Sequence, residues 1–357
     1  LKRIFLAMER ELLVIRQSDK NSLTVKERLT GMQPICVAVD PYSPERIYCG
    51  TFARGLWRSL DGGDHWVPIG DPHLSMASVL EGGILHPHIT SLAISREKGA
   101  GDYGTLYAGT EPSALFCSRD GGETWRELKS LQHLPSAPTW SFPPRPHTSH
   151  VRWITPDPLE PARLHVSIEF GAVIRSLDQG ESWSDRKFRS PKDAHTLIVH
   201  PQNPDRIYAA CGDGYLEKGC GYAESRDGGE TWHYVGEGLK HHYLYGLAVD
   251  PGDPETILVS AASDPGSAHN PKQATSRIYR KKGKEPWQEI TQGLPPATGT
   301  VIPLLATHQG EAGVFYALTN QGLYCSPDQG SSWVRMEVPW KEEYINQHQQ
   351  AIAVTEN

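Results

Sequence analysis

ALFCSRDGGETW, residues 114–125, runs a short stretch of strand-forming residues into a turn made of Ser118, Asp120, Gly121 and Gly122, which Trp125 closes. The same pattern, Ser-x-Asp-x-Gly-x-x-Trp, occurs five times: Ser59-Asp61-Gly63-Trp66, Ser118-Asp120-Gly122-Trp125, Ser176-Asp178-Gly180-Trp183, Ser225-Asp227-Gly229-Trp232 and Ser326-Asp328-Gly330-Trp333. A degenerate sixth copy, YRKKGKEPW (279–287), keeps Trp287 but carries Lys282 where the others have Asp. In each box the Asp and Ser side chains can hydrogen-bond backbone groups across the turn. The Gly residues take positive φ, and the Trp is expected to pack back over its own repeat. That role is structural, so the five box aspartates are not expected to do chemistry.

Reading outward, every box follows the same grammar. An apolar strand ends in Asp-Pro or an equivalent (ICVAVDP 35–41, HTLIVHP 195–201, YGLAVDP 245–251). A second strand follows (RIYCGT 46–51, TLYAGT 105–110, RIYAAC 206–211), and a third enters the box (GLWRS 55–59, AVIRS 172–176, GLYCS 322–326). Four short strands per repeat make one propeller blade. Six blades are counted this way, over roughly 33–70, 88–131, 150–188, 194–239, 243–294 and 300–338. The termini supply a seventh: AIAVTEN (351–357) resembles a first strand, and LKRIFLAM, ELLVIRQ and LTVKERL read as strands two to four. The predicted fold is all-β, a single seven-bladed propeller domain over 1–357, with residues 1–30 and 350–357 closing one blade and leaving no open sheet edge.

Composition agrees. Gly 34 and Pro 28 are spread along all 357 residues, and ten Trp and fourteen Tyr outweigh four Met. The net charge of -7, with both signs interleaved, argues against a nucleic-acid groove. No run approaches the ~20 apolar residues of a membrane helix, so no membrane partner is expected. The start, LKRIFLAMERELLVI, interrupts its apolar stretch with Glu9, Arg10 and Glu11 and reads as a strand pair, not a signal peptide. Six Cys lack framework spacing; only Cys211 and Cys220 share a loop and could pair, and a cytoplasmic location is expected.

With its boxes, the chain resembles the BNR/Asp-box superfamily of propellers over nearly its full length. That superfamily includes sialidases and other glycosidases, sortilin-type receptors and photosystem II assembly factors. The resemblance implies the scaffold and leaves the activity open. Sialidases carry Arg-Ile-Pro; here Arg46, Arg206 and Arg277 each begin Arg-Ile-Tyr, part of the blade grammar, so a sialidase is not expected. The basic patch of the photosystem assembly factors has no counterpart in this acidic chain.

First strands line a propeller's channel. Counting back seven residues from Asp40 and its equivalents gives Gln33, His88, His150, Asp193, Tyr243, Val301 and His348. Two residues on come Ile35, Thr90, Arg152, His195, Tyr245, Pro303 and Gln350. His88, His150, His195 and His348 thus start strands of four blades at one channel mouth, and His242 lies one residue off this register. Imidazole is the commonest nitrogen ligand of divalent transition metals, so these four are the expected ligands of one such ion, the cofactor anticipated here. Loops after the second strands place Glu9, Glu111, Glu169, Asp213 and Asp264 on the same face. Glu169 and Arg152 are the candidate catalytic residues; Tyr245, Asp193 and Glu111 are candidate ligand contacts. The segment TWSFPPRPHTSHVRWI (139–154) is expected to fold over the mouth, and 212–225 and 263–276 extend its rim.

The leading functional expectation is a soluble propeller that binds a small molecule, with the metal, and acts as a lyase, hydrolase or oxygenase. One alternative is a non-enzymatic scaffold offering its rim to a protein partner. Another is a glycosidase, which needs two carboxylates ~5 to 9 Å apart; Glu169 with Glu111 or Asp213 are the candidates.

Overall fold

The computed structural model describes residues 2–17, 22–70 and 83–356. They form seven antiparallel sheets arranged as the blades of one propeller. The innermost strands are Pro34–Asp40, Ile89–Lys98, Val151–Pro156, Ala194–His200, Tyr243–Asp250, Leu304–Ala306 and Ala351–Glu356, in blades 1 to 7. Six sheets have four strands; blade 3 has three, and a single bridge between Arg175 and Ser184 stands where its fourth would be. In blade 7 the C-terminal strand Ala351–Glu356 pairs with Lys2–Ala7, as the termini predicted, in the register Lys2↔Glu356 to Ala7↔Ala351.

The turn after each innermost strand explains the Asp-Pro grammar. Buried Asp40 accepts the amide of Tyr42 at 2.9 Å, and buried Asp250 accepts those of Gly252 and Gly313, each at 2.9 Å. Blade 4 uses His200 instead, whose Nδ1 takes the Gln202 amide at 3.2 Å.

All five complete boxes share one hydrogen-bond pattern. In each the Ser hydroxyl donates to the Asp at 2.8 Å. The Ser oxygen accepts the box Gly amide at 2.8 or 2.9 Å. The degenerate copy inverts the polarity: the Lys281 ammonium donates to the carbonyls of Gly283 and Glu285, at 2.6 and 2.8 Å, so a cation braces the turn instead of an anion.

The box tryptophans sit in apolar clusters that span their own blade and the one before it. Each joins the apolar cluster shared with the preceding blade: Trp66 with Phe5 and Val14, Trp125 with Tyr48 and Leu56, Trp333 with Leu258 and Ile278. Trp287 does the same in the box that lost its Asp, and its indole N–H reaches the Val235 carbonyl of blade 4 at 2.8 Å. Each of the seven blade-to-blade interfaces has a cluster of this kind. The core is therefore a ring of seven small cores around a channel, and this leaves the axis free for polar side chains.

Candidate active site

Five neighbouring innermost strands carry a β-bulge near their start. The extra residues are Ile35, Thr90, Arg152 and His195, with Tyr245 in a wider bulge of blade 5. A bulge re-aims the side chain it inserts, and all five line one cavity of about 720 Å³ at the channel mouth. The carbonyls next to the bulges are taken up across blades. Ser91 donates to Val151 O at 2.8 Å, Thr196 to Tyr245 O at 2.7 Å, and His195 Nδ1 to Leu244 O at 2.7 Å.

All nine residues singled out from the sequence, His88, Glu111, His150, Arg152, Glu169, Asp193, His195, Tyr245 and His348, line this cavity. Phe142, Pro143, Pro144 and Arg145 of the 139–154 segment line it too, so that segment lies on the mouth. The other register positions behave differently. Val301 is buried, and Ile302 beside it is hydrogen-bonded to Ala268 of the short helix Pro265–His269, so the 263–276 insertion occupies blade 6's share of the rim. Asp264 caps that helix through the Ser267 amide, and Glu9 accepts the His348 amide at 3.0 Å; neither lines the cavity.

The four expected metal ligands are not brought to one point. His88 and His150 both face Glu111, with Nδ1 atoms 3.6 and 3.7 Å from Oε2. His150 gives its Nε2 proton to Glu169 at 2.8 Å. His348 Nε2 meets Nδ1 of His269 at 2.5 Å, and His269 Nε2 meets the Tyr243 hydroxyl at 2.8 Å. Seven blades make a wide opening, and Arg152, whose guanidinium lies 4.9 Å from the Tyr245 ring centre, sits among the rings. Among the described residues, the one group of three whose ligand atoms all lie within 4.8 Å of one another is Glu169, Asp193 and His195.

That group has a defined electrostatic character. His195 Nδ1 must carry a proton to bond the Leu244 carbonyl, so in the neutral ring Nε2 offers a lone pair, 3.7 Å from Asp193 and 4.0 Å from Glu169. Burial raises the Asp193 carboxyl to about 6, reinforced by the nearby Glu169 and Asp213. Burial works on Glu169 the same way, but the hydrogen bond from His150 and the groups around it, the Arg152 guanidinium among them, outweigh it and hold its carboxyl well below the usual range. Two adjacent carboxyls are thus driven in opposite directions. Burial also lowers His88 and His348 to about 4 and His269 well below its ordinary value, so these rings are neutral at pH 7.

The carboxylate pairs anticipated for a glycosidase take a different form. Glu111 is clamped by Arg145 in a two-point pair at 2.6 and 2.7 Å, and His150 stands between it and Glu169. Asp213 accepts the backbone amide of Asp193 at 2.9 Å. Asp193, expected only as a ligand contact, is the carboxyl that faces Glu169.

No protein-family model matches the chain. A probable oligoxyloglucan-reducing end-specific xyloglucanase of Neosartorya fischeri is 22% identical over 277 residues, 74% of this chain and 28% of that protein. The chain therefore spans under a third of that curated relative's length. Among solved structures, the GH74 enzyme of Niastella koreensis superposes with a TM-score of 0.63 at 14% identity, covering 92% of this chain and 53% of that one. An ancestral GH74 enzyme gives 0.60 at 15%, covering 90% and 38%. A YCF48 structure with a bound D1 peptide gives 0.56 at 17%, covering 86% and 84%. At these identities the likeness concerns the propeller fold.

One participant had no counterpart in the sequence-based site. His269 bonds both His348 and Tyr243, and it sits on a short helical insertion with no strand register to count from. Its only signal was the length of the 263–276 segment. Cys211 and Cys220, which share a loop, are both free thiols.

Proposed function

We propose that the protein is a glycosidase that holds a saccharide in the central cavity, with Asp193 as acid–base and Glu169 as nucleophile. The carrying observation is the carboxyl pair within 4.8 Å whose ionisation is pushed apart, the arrangement that separates an acid from a base. Protonated Asp193 donates to the departing glycosidic oxygen as Glu169 attacks the anomeric carbon. Water then releases the sugar, returning its proton to Asp193. His150 and Arg152 orient Glu169, at 2.8 and 3.4 Å. Phe52, Phe142 and Tyr245 add aromatic surface to the cavity lining, the kind of surface sugar rings pack against. The xyloglucanase relative and the GH74 neighbours favour the same chemistry. A short separation between the carboxyls, about 5 Å, belongs to the retaining mechanism.

The test is release of reducing ends from a panel of oligosaccharides, with the anomer of the first product followed by NMR. Retention is expected. Glu169→Gln and Asp193→Asn should each lower kcat by about 10²–10⁴-fold, and kcat should fall as pH rises through about 6, where Asp193 loses its proton. Full activity in both variants would overturn the assignment, as would absence of turnover across the panel.

A second reading rests on the His195 tautomer. Three lone-pair donors, Glu169, Asp193 and His195 Nε2, converge without a proton donor between them, which suits a divalent cation. The residues fit such an ion, with the Leu244 carbonyl fixing the ring behind it. Bound metal would keep Asp193 ionised and unable to act as an acid. Activity lost to a chelator and restored by a divalent ion would favour this reading; indifference to the chelator favours the acid–base pair.

A further inference from the structure

A second cavity, of about 940 Å³, adjoins the first, and Phe170, Asp193 and Leu216 line both. Six residues of the segment RKFRSPK, residues 186–192, line it, and the segment puts four cations into seven residues of a chain whose net charge is -7. The segment is held at both ends by one glycine: Arg186 Nη1 donates to Gly171 O at 3.1 Å, and Gly171 N donates to Lys192 O at 2.6 Å. Between these ties, the Ser190 amide and hydroxyl both bond the Lys187 carbonyl, at 3.1 and 2.9 Å.

The turn so made lifts its tip into solvent. Phe188 is 91% exposed, and Arg189 is held at a φ of 61°, a conformation non-glycine residues adopt at an energetic cost. Leu216, 70% exposed, lines the same cavity. Lys187 is paired with Glu230 at 2.8 Å, whereas Arg189 and Lys192 have no carboxylate within ion-pair distance among the described residues. Asp193, Asp213 and Glu217 line the same cavity, but backbone amides already engage the first two carboxylates: Asp193 accepts that of Phe170 at 3.0 Å and Asp213 that of Asp193 at 2.9 Å. A fixed turn that presents an aromatic ring and two unpaired cations beside a catalytic cavity is a place for a ligand with an apolar face and an anionic group.

We infer that this cavity is a subsite for an acidic sugar unit, a uronate, of the same chain that occupies the central cavity, with Phe188 stacking on the ring and Arg189 and Lys192 taking the carboxylate. The inference rests on the saccharide reading above and adds its substrate class: acidic oligosaccharides. Two charge-assisted contacts favour an acidic ligand over its neutral counterpart by roughly tenfold or more.

The test uses Glu169→Gln protein, so that binding is read without turnover, and calorimetric titration at low salt. The probes are tetragalacturonate, oligomannuronate and a glucuronate-bearing xylo-oligosaccharide, each against a neutral oligosaccharide of equal length. At least one acidic probe is expected to bind about tenfold more tightly than its neutral counterpart, the preference shrinking at high salt. Arg189→Gln with Lys192→Gln, placed in the same background, should abolish the preference and leave neutral binding unchanged. Equal affinity for acidic and neutral probes, no binding of any acidic probe, or a preference that survives the double substitution would overturn the inference. Acidic probes that bind through this turn but are not cleaved by the unsubstituted protein would sink the glycosidase reading alone.

Discussion

The role proposed for Asp193 comes with a stability penalty in the same carboxyl. Its folded value of about 6 lies above the ~3.9 of an unfolded aspartate, so the native state holds a proton between these pH values that the unfolded chain has released. Stability on this account is greatest below pH 4, declines as pH rises through 4 to 6, and carries the full penalty above. Asparagine cannot ionise and still offers an oxygen to the Phe170 amide, which Asp193 accepts at 3.0 Å. Asp193→Asn is therefore expected to be about 3 kcal/mol more stable than the unsubstituted protein at pH 8 and no more stable at pH 4. Urea unfolding at the two pH values measures this; a pH-independent difference would show that burial of a charge is not what Asp193 contributes.

Within each blade, the box divides its work between two kinds of group. Ser326 is buried and supplies the oxygen that receives the Gly330 amide, so Ser326→Ala should cost about 1–2 kcal/mol by leaving that amide unpaired. Trp287 fills the interface between blades 4 and 5 beside Tyr208, Tyr222 and Leu247, and Trp287→Ala should cost about 3–5 kcal/mol. The order is the informative part. It explains why the degenerate copy could exchange its Ser and Asp for a lysine brace yet keep its indole. Chemical denaturation of both variants tests it, and a smaller loss for Trp287→Ala would mean that the interface is not where the box acts. The bulges belong to this scale as well. A single inserted residue in each of several strands turns Arg152, His195 and Tyr245 toward the axis, and no residue type in those strands announces it.

Around the whole ring, stability depends on closure. Every interface cluster is small, and the one between blades 7 and 1 joins Phe5, Leu12 and Val14 to Ile47 and Cys49. Deleting residues 350–357 removes the strand that pairs with Lys2–Ala7 and exposes its edge next to the channel. The truncated protein is expected to melt at least about 10 °C lower and to aggregate, followed by circular dichroism and size-exclusion chromatography. An unchanged melting temperature would mean that the remaining six blades hold the ring without closure. The ring also makes the site, because Glu111, Glu169, Asp193, Tyr245 and His348 come from five different blades and meet only when all seven are in place.

The architecture was legible in the sequence because its determinants are local. A box, an Asp-Pro turn and a two-residue strand period each act within a few positions, and their repetition counts the blades. The same counting brought seven of the nine residues to one mouth, since first-strand register is also local, and the loops after the second strands added Glu111 and Glu169. Which of those residues touch was decided by the closed ring. Bulges shift register by one, the 263–276 insertion takes over the blade 6 sector and brings in His269, and burial sets Asp193 against Glu169. Such pairings depend on distances across an axis that no stretch of chain spans, and only the tertiary structure fixes those distances.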